Sequence, residues 1–277
     1  MRKRRILSLL LTGILSIGLI GCGNAGASEG NKAKEEDKTI KIGVTPVPHA
    51  EIVNAIKPDL EAKGYTVEVI EYTDYVTPNT ALADGDLDAN YFQTIPYLEE
   101  TNEGKGYDLT YTKGVHLEPI GIYSSKIKSL DDLKEGDRVA VPNDPSNEAR
   151  SLRLLESAGL IKLKEGELVT PKDILENPKN LEFEELEAAQ LPRVLEEVAI
   201  AVINGNYALE AGLSPAKDAL YLEDATTEAS KKYHNVIAVK KGNENSQKIK
   251  DLTEILTSEK VKKFIEENYN GSVLPVF

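Results

Sequence analysis

Tryptophan is absent from this chain, methionine occurs once, at position 1, and cysteine occurs once, at Cys22. A lone cysteine excludes an intramolecular disulfide and any site built on several thiolates. Basic excess is also missing: Lys and Arg number 33 against 46 Asp and Glu, for a formal net charge of −13. That balance argues against nucleic acid as a partner, which requires a basic face. It argues equally against electrostatic docking on an anionic membrane, and solubility accounts for the acid excess. The three histidines, His49, His116 and His234, stand far apart without paired ligand spacing, so no metal site is expected. No Gly-x-Ser-x-Gly, no Gly-rich phosphate loop with Lys-Ser/Thr and no His-Glu-x-x-His occurs. Acidic pairs such as Asp131-Asp132 and Glu184-Glu185 read as solvated faces. No catalytic residue and no cofactor is therefore expected, and no repeat of solenoid period is present.

The amino terminus carries the first positive signal. Arg2, Lys3, Arg4 and Arg5 precede an apolar run, Ile6 to Ile20, which leads into Leu19-Ile20-Gly21-Cys22. Basic n-region, apolar h-region and a small residue at the cleavage point describe a secretory signal over residues 1–21. The run is short for a spanning helix, which needs about 20 apolar residues. Cys22 directly after Gly21 resembles the lipobox of bacterial lipoproteins, which implies a diacylated cysteine as mature N-terminus and a lipid tether on the extracytoplasmic face of the cell membrane. Residues 22–38 are small, polar and charged without apolar periodicity, the composition of a flexible tether.

From Thr39 onward strand and helix signals alternate. Strands are expected at Thr39–Val44, Thr66–Tyr72, Leu87–Phe92, Leu117–Ser124, Arg138–Pro142, Leu181–Leu186, Ala199–Ile203 and Asn235–Val239. Helices are expected at Ala50–Ala62, Asn79–Ala83, Ile95–Gly104, Ser146–Ala158, Leu191–Val198, Ser246–Thr257 and Glu259–Tyr269. This rhythm predicts an α/β chain of two lobes, each a sheet flanked by helices, with a ligand in the cleft between them. Residues 39–117 plus 236–277 would form lobe 1 and residues 118–235 lobe 2.

In parallel α/β sheets ligands sit at the carboxyl ends of strands. Asn204 follows the apolar strand ending at Ile203, although Asn-Gly is also a plain turn signal. Val141 to Arg150 runs from a strand end through a turn into a helix, and Asn147 and Arg150 share one face of its first turn. A guanidinium beside a helix N-terminus can take a carboxylate through bidentate bonds. The competing reading is a surface arginine paired with Glu148 or Glu156. Tyr72, Tyr75, Tyr91 and Phe92 are aromatics in or just after strands, suited to core or to a pocket wall. His49 caps or packs at a helix start, and His234 reads as a surface residue before a strand.

Six collinear blocks resemble the NlpA family of substrate-binding lipoproteins: Val44–Glu51, Asp74–Leu82, Asp88–Gln93, Val141–Asn147, Ala201–Ala208 and Leu213–Asp218. The resemblance implies a periplasmic-binding-protein fold of the type 2 solute-binding class that closes on L-methionine. By position it implies that Arg150 holds the ligand carboxylate with Asn147 beside it, and that Asn204 and Asn235 bind the amino and carboxylate groups. It further implies that Tyr72, Phe92 and His116 wall the thioether pocket, with Gln93 nearby. The implied partners are the permease and ATPase subunits of an ABC importer and a membrane reached through the lipid on Cys22, the chain itself being a monomer. Two departures stand out: Thr94 where many relatives have His, and Ala199-Ile200 where many have an acid. The alternative ligand is a Gly-Met-type dipeptide or another small amino acid.

Overall fold

A computed structural model describes residues 38–277. The signal segment, Cys22 and nearly all of the expected tether lie outside the described residues.

The strands are β1 (Thr39–Val44), β2 (Thr66–Glu71), β3 (Ala89–Thr94), β4 (Leu109–Leu117), β5 (Gly121–Tyr123), β6 (Arg138–Pro142), β7 (Lys162–Leu163), β8 (Ile174–Glu176), β9 (Glu182–Leu186), β10 (Ile200–Ile203), β11 (Tyr221–Leu222), β12 (His234–Lys240) and β13 (Leu274–Pro275). The helices are α1 (Glu51–Ala62), α2 (Thr77–Asp84), α3 (Ile95–Lys105), α4 (Pro145–Ser157), α5 (Gly205–Glu210), the one-turn α6 (Pro215–Asp218) and α7 (Glu228–Lys231), α8 (Gln247–Leu256) and α9 (Glu259–Tyr269).

Two larger sheets organise the fold. The first has the order β13-β4-β12-β3-β1-β2 and the second β11-β5-β10-β6-β9, with β7 and β8 forming a separate small hairpin. β1 runs parallel to both β2 and β3, and β6 parallel to β9 and β10. The inner strand β10 is covered on both faces and continuous in apolar residues, Ile200-Ala201-Val202-Ile203 being wholly buried, whereas the edge strands β2 and β9 carry exposed acids. α1 buries Ile52, Val53, Ile56 and Leu60, one stripe at helical spacing. α8 and α9 add Ile249, Leu252, Leu256, Val261 and Ile265 to the same core, against Ile40 and Ile42 of β1. Over the second sheet, α4 packs Leu152 and Leu155 against Val139, Val141 and Ile200.

The chain leaves the first sheet after β4, crosses at Glu118-Pro119-Ile120, and returns at β12, which inserts antiparallel between β3 and β4. The expected extended run Leu117–Ser124 is thus divided by a crossing between two strands of different sheets. The expected helix Leu191–Val198 is instead a 3₁₀ segment, Ala188–Val194, containing Pro192. Proline lacks the N–H that an α-helix needs there, and Val198 already approaches β10. His234 is the first residue of β12 and half-buried, not a surface residue ahead of it.

Candidate functional site

A small cavity, about 20 Å³, lies where the strand ends of the two sheets face one another. Phe92, Gln93 and Thr94 enter it from the end of β3, Tyr75 from the turn before α2, and Tyr97 from the first turn of α3. Asn147 and Arg150 enter from the first turns of α4, Asn204, Gly205 and Asn206 from the junction of β10 and α5, and Asn235 from the start of β12. These are strand ends and the helix starts that follow them, the place that a parallel α/β topology leaves open.

α4 presents its residues because its start is fixed by two devices. Pro145 occupies the first turn, and the Asp144 side chain accepts from the Asn147 backbone N–H at 2.9 Å. Asp144 also accepts from Asn147 Nδ2 at 3.0 Å, which turns Asn147 Oδ1 toward Asn204 Nδ2, its donor at 2.8 Å. Asn204 Oδ1 is then left buried without a hydrogen-bond partner among the described residues. An acceptor so placed costs about 1–3 kcal/mol unless a donor reaches it. Burial raises the Asp144 carboxyl to about 6.

Arg150 is 4% exposed and pairs with neither Glu148 nor Glu156. Its Nε donates to Glu223 Oε1 at 3.0 Å, and Nη2 donates to Glu223 Oε2 at 2.5 Å and to the Glu118 carbonyl at 2.9 Å.

Opposite stands an aromatic group. The ring of Tyr75 is 5.8 Å from Phe92, 5.7 Å from Tyr97 and 4.9 Å from Tyr207 between centroids. The Tyr97 hydroxyl donates to the Tyr75 carbonyl at 2.9 Å, and Tyr75 donates to Asn206 Oδ1 across the cavity. Gln93 is tied to α2 and its own strand, donating to Asn79 Oδ1 at 2.6 Å and Asn90 Oδ1 at 2.8 Å while accepting from Asn79 Nδ2 at 2.8 Å.

Behind Asn235 runs a buried relay. His49 Nε2 lies 3.1 Å from Asn235 Oδ1, an acceptor, so this nitrogen carries the proton, and Nδ1 accepts from Thr45 Oγ1 at 2.7 Å. His116 Nε2 donates to Glu118 Oε1 at 2.7 Å, and its Nδ1 accepts from the Tyr91 hydroxyl. Asn235 Nδ2 points to the same Glu118 oxygen at 3.5 Å. Burial holds both imidazoles neutral, lowering His49 to about 4 and His116 to about 3, and the same burial raises Glu118. The His49, His116 and Glu118 donor atoms lie within 4.8 Å of one another, the spacing of a metal cage. As bonded here both Nε2 atoms are protonated, so neither turns a lone pair to a cation.

Of the residues expected from sequence, the structure brings Phe92, Gln93, Asn147, Arg150, Asn204 and Asn235 to one cavity. Tyr72 and His116 do not line it. Tyr72 packs with Leu82, Leu87 and Leu98, above Gly43, where an added Cβ would come within 3.0 Å of its ring. His116 lies behind Glu118, fully buried. Sequence reasoning missed Tyr97, Glu118 and Asn206 and left Tyr75 unassigned. The signal for Glu118 was there: an isolated carboxylate inside the apolar stretch from Val115 to Ile122.

The sequence profile of the NlpA lipoprotein family matches residues 40–277. A methionine-binding lipoprotein, MetQ, of Bacillus subtilis is 44% identical over 276 residues, covering 98% of this chain and 96% of its own. The crystal structure of a putative lipoprotein from Ruminococcus gnavus superposes with a TM-score of 0.85 at 52% identity, over 87% of this chain and all of that one. A nutrient binding protein from Burkholderia cenocepacia, solved bound to methionine, gives a TM-score of 0.82 at 46% identity, over 86% of this chain and all of that one.

Proposed function

The chain belongs to the NlpA lipoprotein family, and from that premise we propose that it captures L-methionine in the cavity between its two sheets and delivers it to an ABC importer. The observation that carries this reading is the split polarity of one cavity. Arg150 and the unpartnered Asn204 Oδ1 stand on one side, and Tyr75, Phe92 and Tyr97 on the other. An amino-acid head meets the first and an uncharged, sulfur-bearing side chain the second. Arg150 takes the carboxylate, Asn204 accepts from the ammonium, and Asn235 adds a contact from the strand that returns to the first sheet. Phe92 packs on the thioether with Tyr75 and Tyr97. His116 reaches the cavity only through Glu118, and Tyr72 stands apart from it. No chemical step belongs to this reading: the protein binds and releases.

The same reading places the protein as a monomer on the extracytoplasmic face of a membrane, held by lipid on Cys22. Cys22→Ala should leave the precursor unprocessed or release the protein from the membrane fraction. Calorimetry with methionine, norleucine, glutamate and Gly-Met tests the ligand. Methionine should bind most tightly. A preference for Gly-Met by more than tenfold would keep the transport role and replace the ligand, and would point to Thr94 in the cavity wall as its source.

A further inference from the structure

The guanidinium of Arg150 is held on three sides before any ligand arrives. Glu223 spans Nε and Nη2, the Glu118 carbonyl takes the second Nη2 proton, and the Tyr233 ring lies against the plane with its centroid 4.2 Å from Cζ. The Arg150 and Glu223 side chains are 4% and 13% exposed, so this is an enclosed pair and not a surface contact. A guanidinium has five N–H donors. Three are spent, and both that remain sit on Nη1. The fork edge formed by Nε and Nη2, the usual place for a bidentate carboxylate, is occupied by the protein's own carboxylate.

We propose that Glu223 and Tyr233 are positioning residues for ligand capture, fixing the Arg150 guanidinium so that Nη1 alone is offered to the ligand's carboxylate. The inference rests on the assignment of Arg150 as the carboxylate receptor. Both residues come from the segment between β11 and β12, which leads to Asn235, so one stretch of chain sets the orientation of two groups lining the cavity. The ligand carboxylate meets Arg150 through a single nitrogen. Its second oxygen must find another donor, and the guanidinium cannot swing out to follow it. Arg153, one turn further along α4, is not an alternative receptor: it donates to Glu156 Oε2 at 2.8 Å and to the carbonyls of Lys164 and Gly166.

The test compares methionine with methionine amide, which lacks the carboxylate. Glu223→Ala should weaken methionine binding about tenfold or more while changing methionine amide affinity less than about twofold, because only the charged hydrogen bond is misplaced. Glu223→Gln, which keeps one acceptor for Nε, should recover part of the loss. Tyr233→Leu should lower the methionine-to-amide ratio, and Tyr233→Phe should restore it. A purely structural role would lower both ligands together, or lower the unfolding temperature and leave the ratio unchanged; either result overturns the proposal. So does a Glu223→Ala protein that binds methionine as well as wild type, while the carboxylate assignment survives. Equal binding of methionine and its amide by the wild type would instead sink the carboxylate assignment and the positioning role with it. Should Glu223→Ala fail to fold, the ratio measured in Glu223→Gln and Tyr233→Leu decides.

Discussion

On the first-sheet side of the cavity the polar groups of Gln93 and Tyr97 are already bonded within that half of the molecule, and the surface they present is ring faces and edges. On the second-sheet side, Asn204 Oδ1 has no partner among the described residues and Arg150 keeps two N–H donors in hand. Apart from Asn235, whose Nδ2 reaches Glu118 only at 3.5 Å, the first wall is complete without a ligand; the second is not. Leaving a buried acceptor and a charged donor unsatisfied is costly, so a ligand that supplies both partners is favoured over one that supplies neither. The contrast separates two tasks that one cavity must do. On the proposed reading, the second wall selects a head group through bonds, whereas the first accepts a side chain by size and polarity.

The largest effect should come from emptying the second wall. Arg150→Ala removes one partner of a buried charged contact, worth roughly 2–5 kcal/mol, so methionine affinity should fall at least about 30-fold. It also strands Glu223, and thermal unfolding must therefore be measured alongside calorimetry. Arg150→Lys keeps the charge but loses the Nε–Glu223 bond, and its affinity should lie between wild type and alanine. Unchanged affinity in a folded Arg150→Ala protein would erase the division between the walls.

Arg150 also marks where the sequence stops being readable. That a polar side chain sits in the first turn of α4, beside Asn147 and at a strand end, follows from local pattern. Its partner does not: Glu223 is 73 positions away, while the nearby acids go elsewhere, Glu156 to Arg153 and Glu148 toward Glu185. β1, α1, β10 and the closing helices were legible because each carries a full apolar period. The helix expected at 191–198 was not, because a proline inside an apolar run leaves composition intact while removing a backbone donor. Glu118, His49 and Asn235 meet only where β4, the turn before α1 and β12 converge, a coincidence of topology with no local trace. Tyr72 shows the reverse failure. An aromatic at the end of a strand fits a pocket wall equally well on paper, and strand register sends it to the other face.

A second contrast between the walls concerns protons. His49, behind the first wall, has a folded-state value near 4 against about 6.5 when unfolded. Between those pH values the unfolded chain holds a proton that the folded one does not, so stability falls as pH drops through that window. Asp144, behind the second wall, is raised to about 6 from 3.8. There the folded form holds the extra proton, and its contribution to stability grows as pH drops from about 6 toward 4. His116, lowered to about 3, adds to the His49 penalty, and Glu148 and Glu210, both raised to about 7, add to the Asp144 gain, so the wild-type profile is a sum in which these opposing contributions partly cancel. From pH 7 to 5, His49→Gln should remove an acid penalty of about 2 kcal/mol, at 1.36 kcal/mol per pKa unit. Asp144→Asn, which can still cap α4, should remove a smaller acid gain and leave a steeper loss. Denaturant unfolding at several pH values reads both slopes, and parallel profiles for wild type and both variants would refute the two assignments.

Asn204→Ala removes the waiting acceptor and should weaken methionine binding by about 1 kcal/mol, roughly fivefold, since an ordinary hydrogen bond contributes about 0.5–1.5 kcal/mol net. The variant also deprives Asn147 Oδ1 of its donor. The informative comparison is therefore with a methionine analogue lacking the amino group, which should bind wild type and variant alike. If the analogue loses as much as methionine, Asn204 acts through Asn147 and not on the ammonium.

The smallest expected effect probes the wall that is already complete. Norleucine matches methionine in length and lacks only the sulfur, so it satisfies the second wall fully. Sulfur at an aromatic ring edge contributes about 0.3–1.5 kcal/mol, which makes methionine roughly two- to tenfold tighter. Glutamate, of similar reach, should be excluded outright, because the first wall offers a buried carboxylate rings and spent amides. Replacing Phe92 with Leu keeps an apolar surface of comparable size and removes one ring, so it should narrow the methionine–norleucine gap more than it lowers either affinity. A gap that survives intact in Phe92→Leu, and again in Tyr75→Leu, would mean that the side chain is recognised elsewhere and that the aromatic cluster serves only to hold Tyr75 against Asn206.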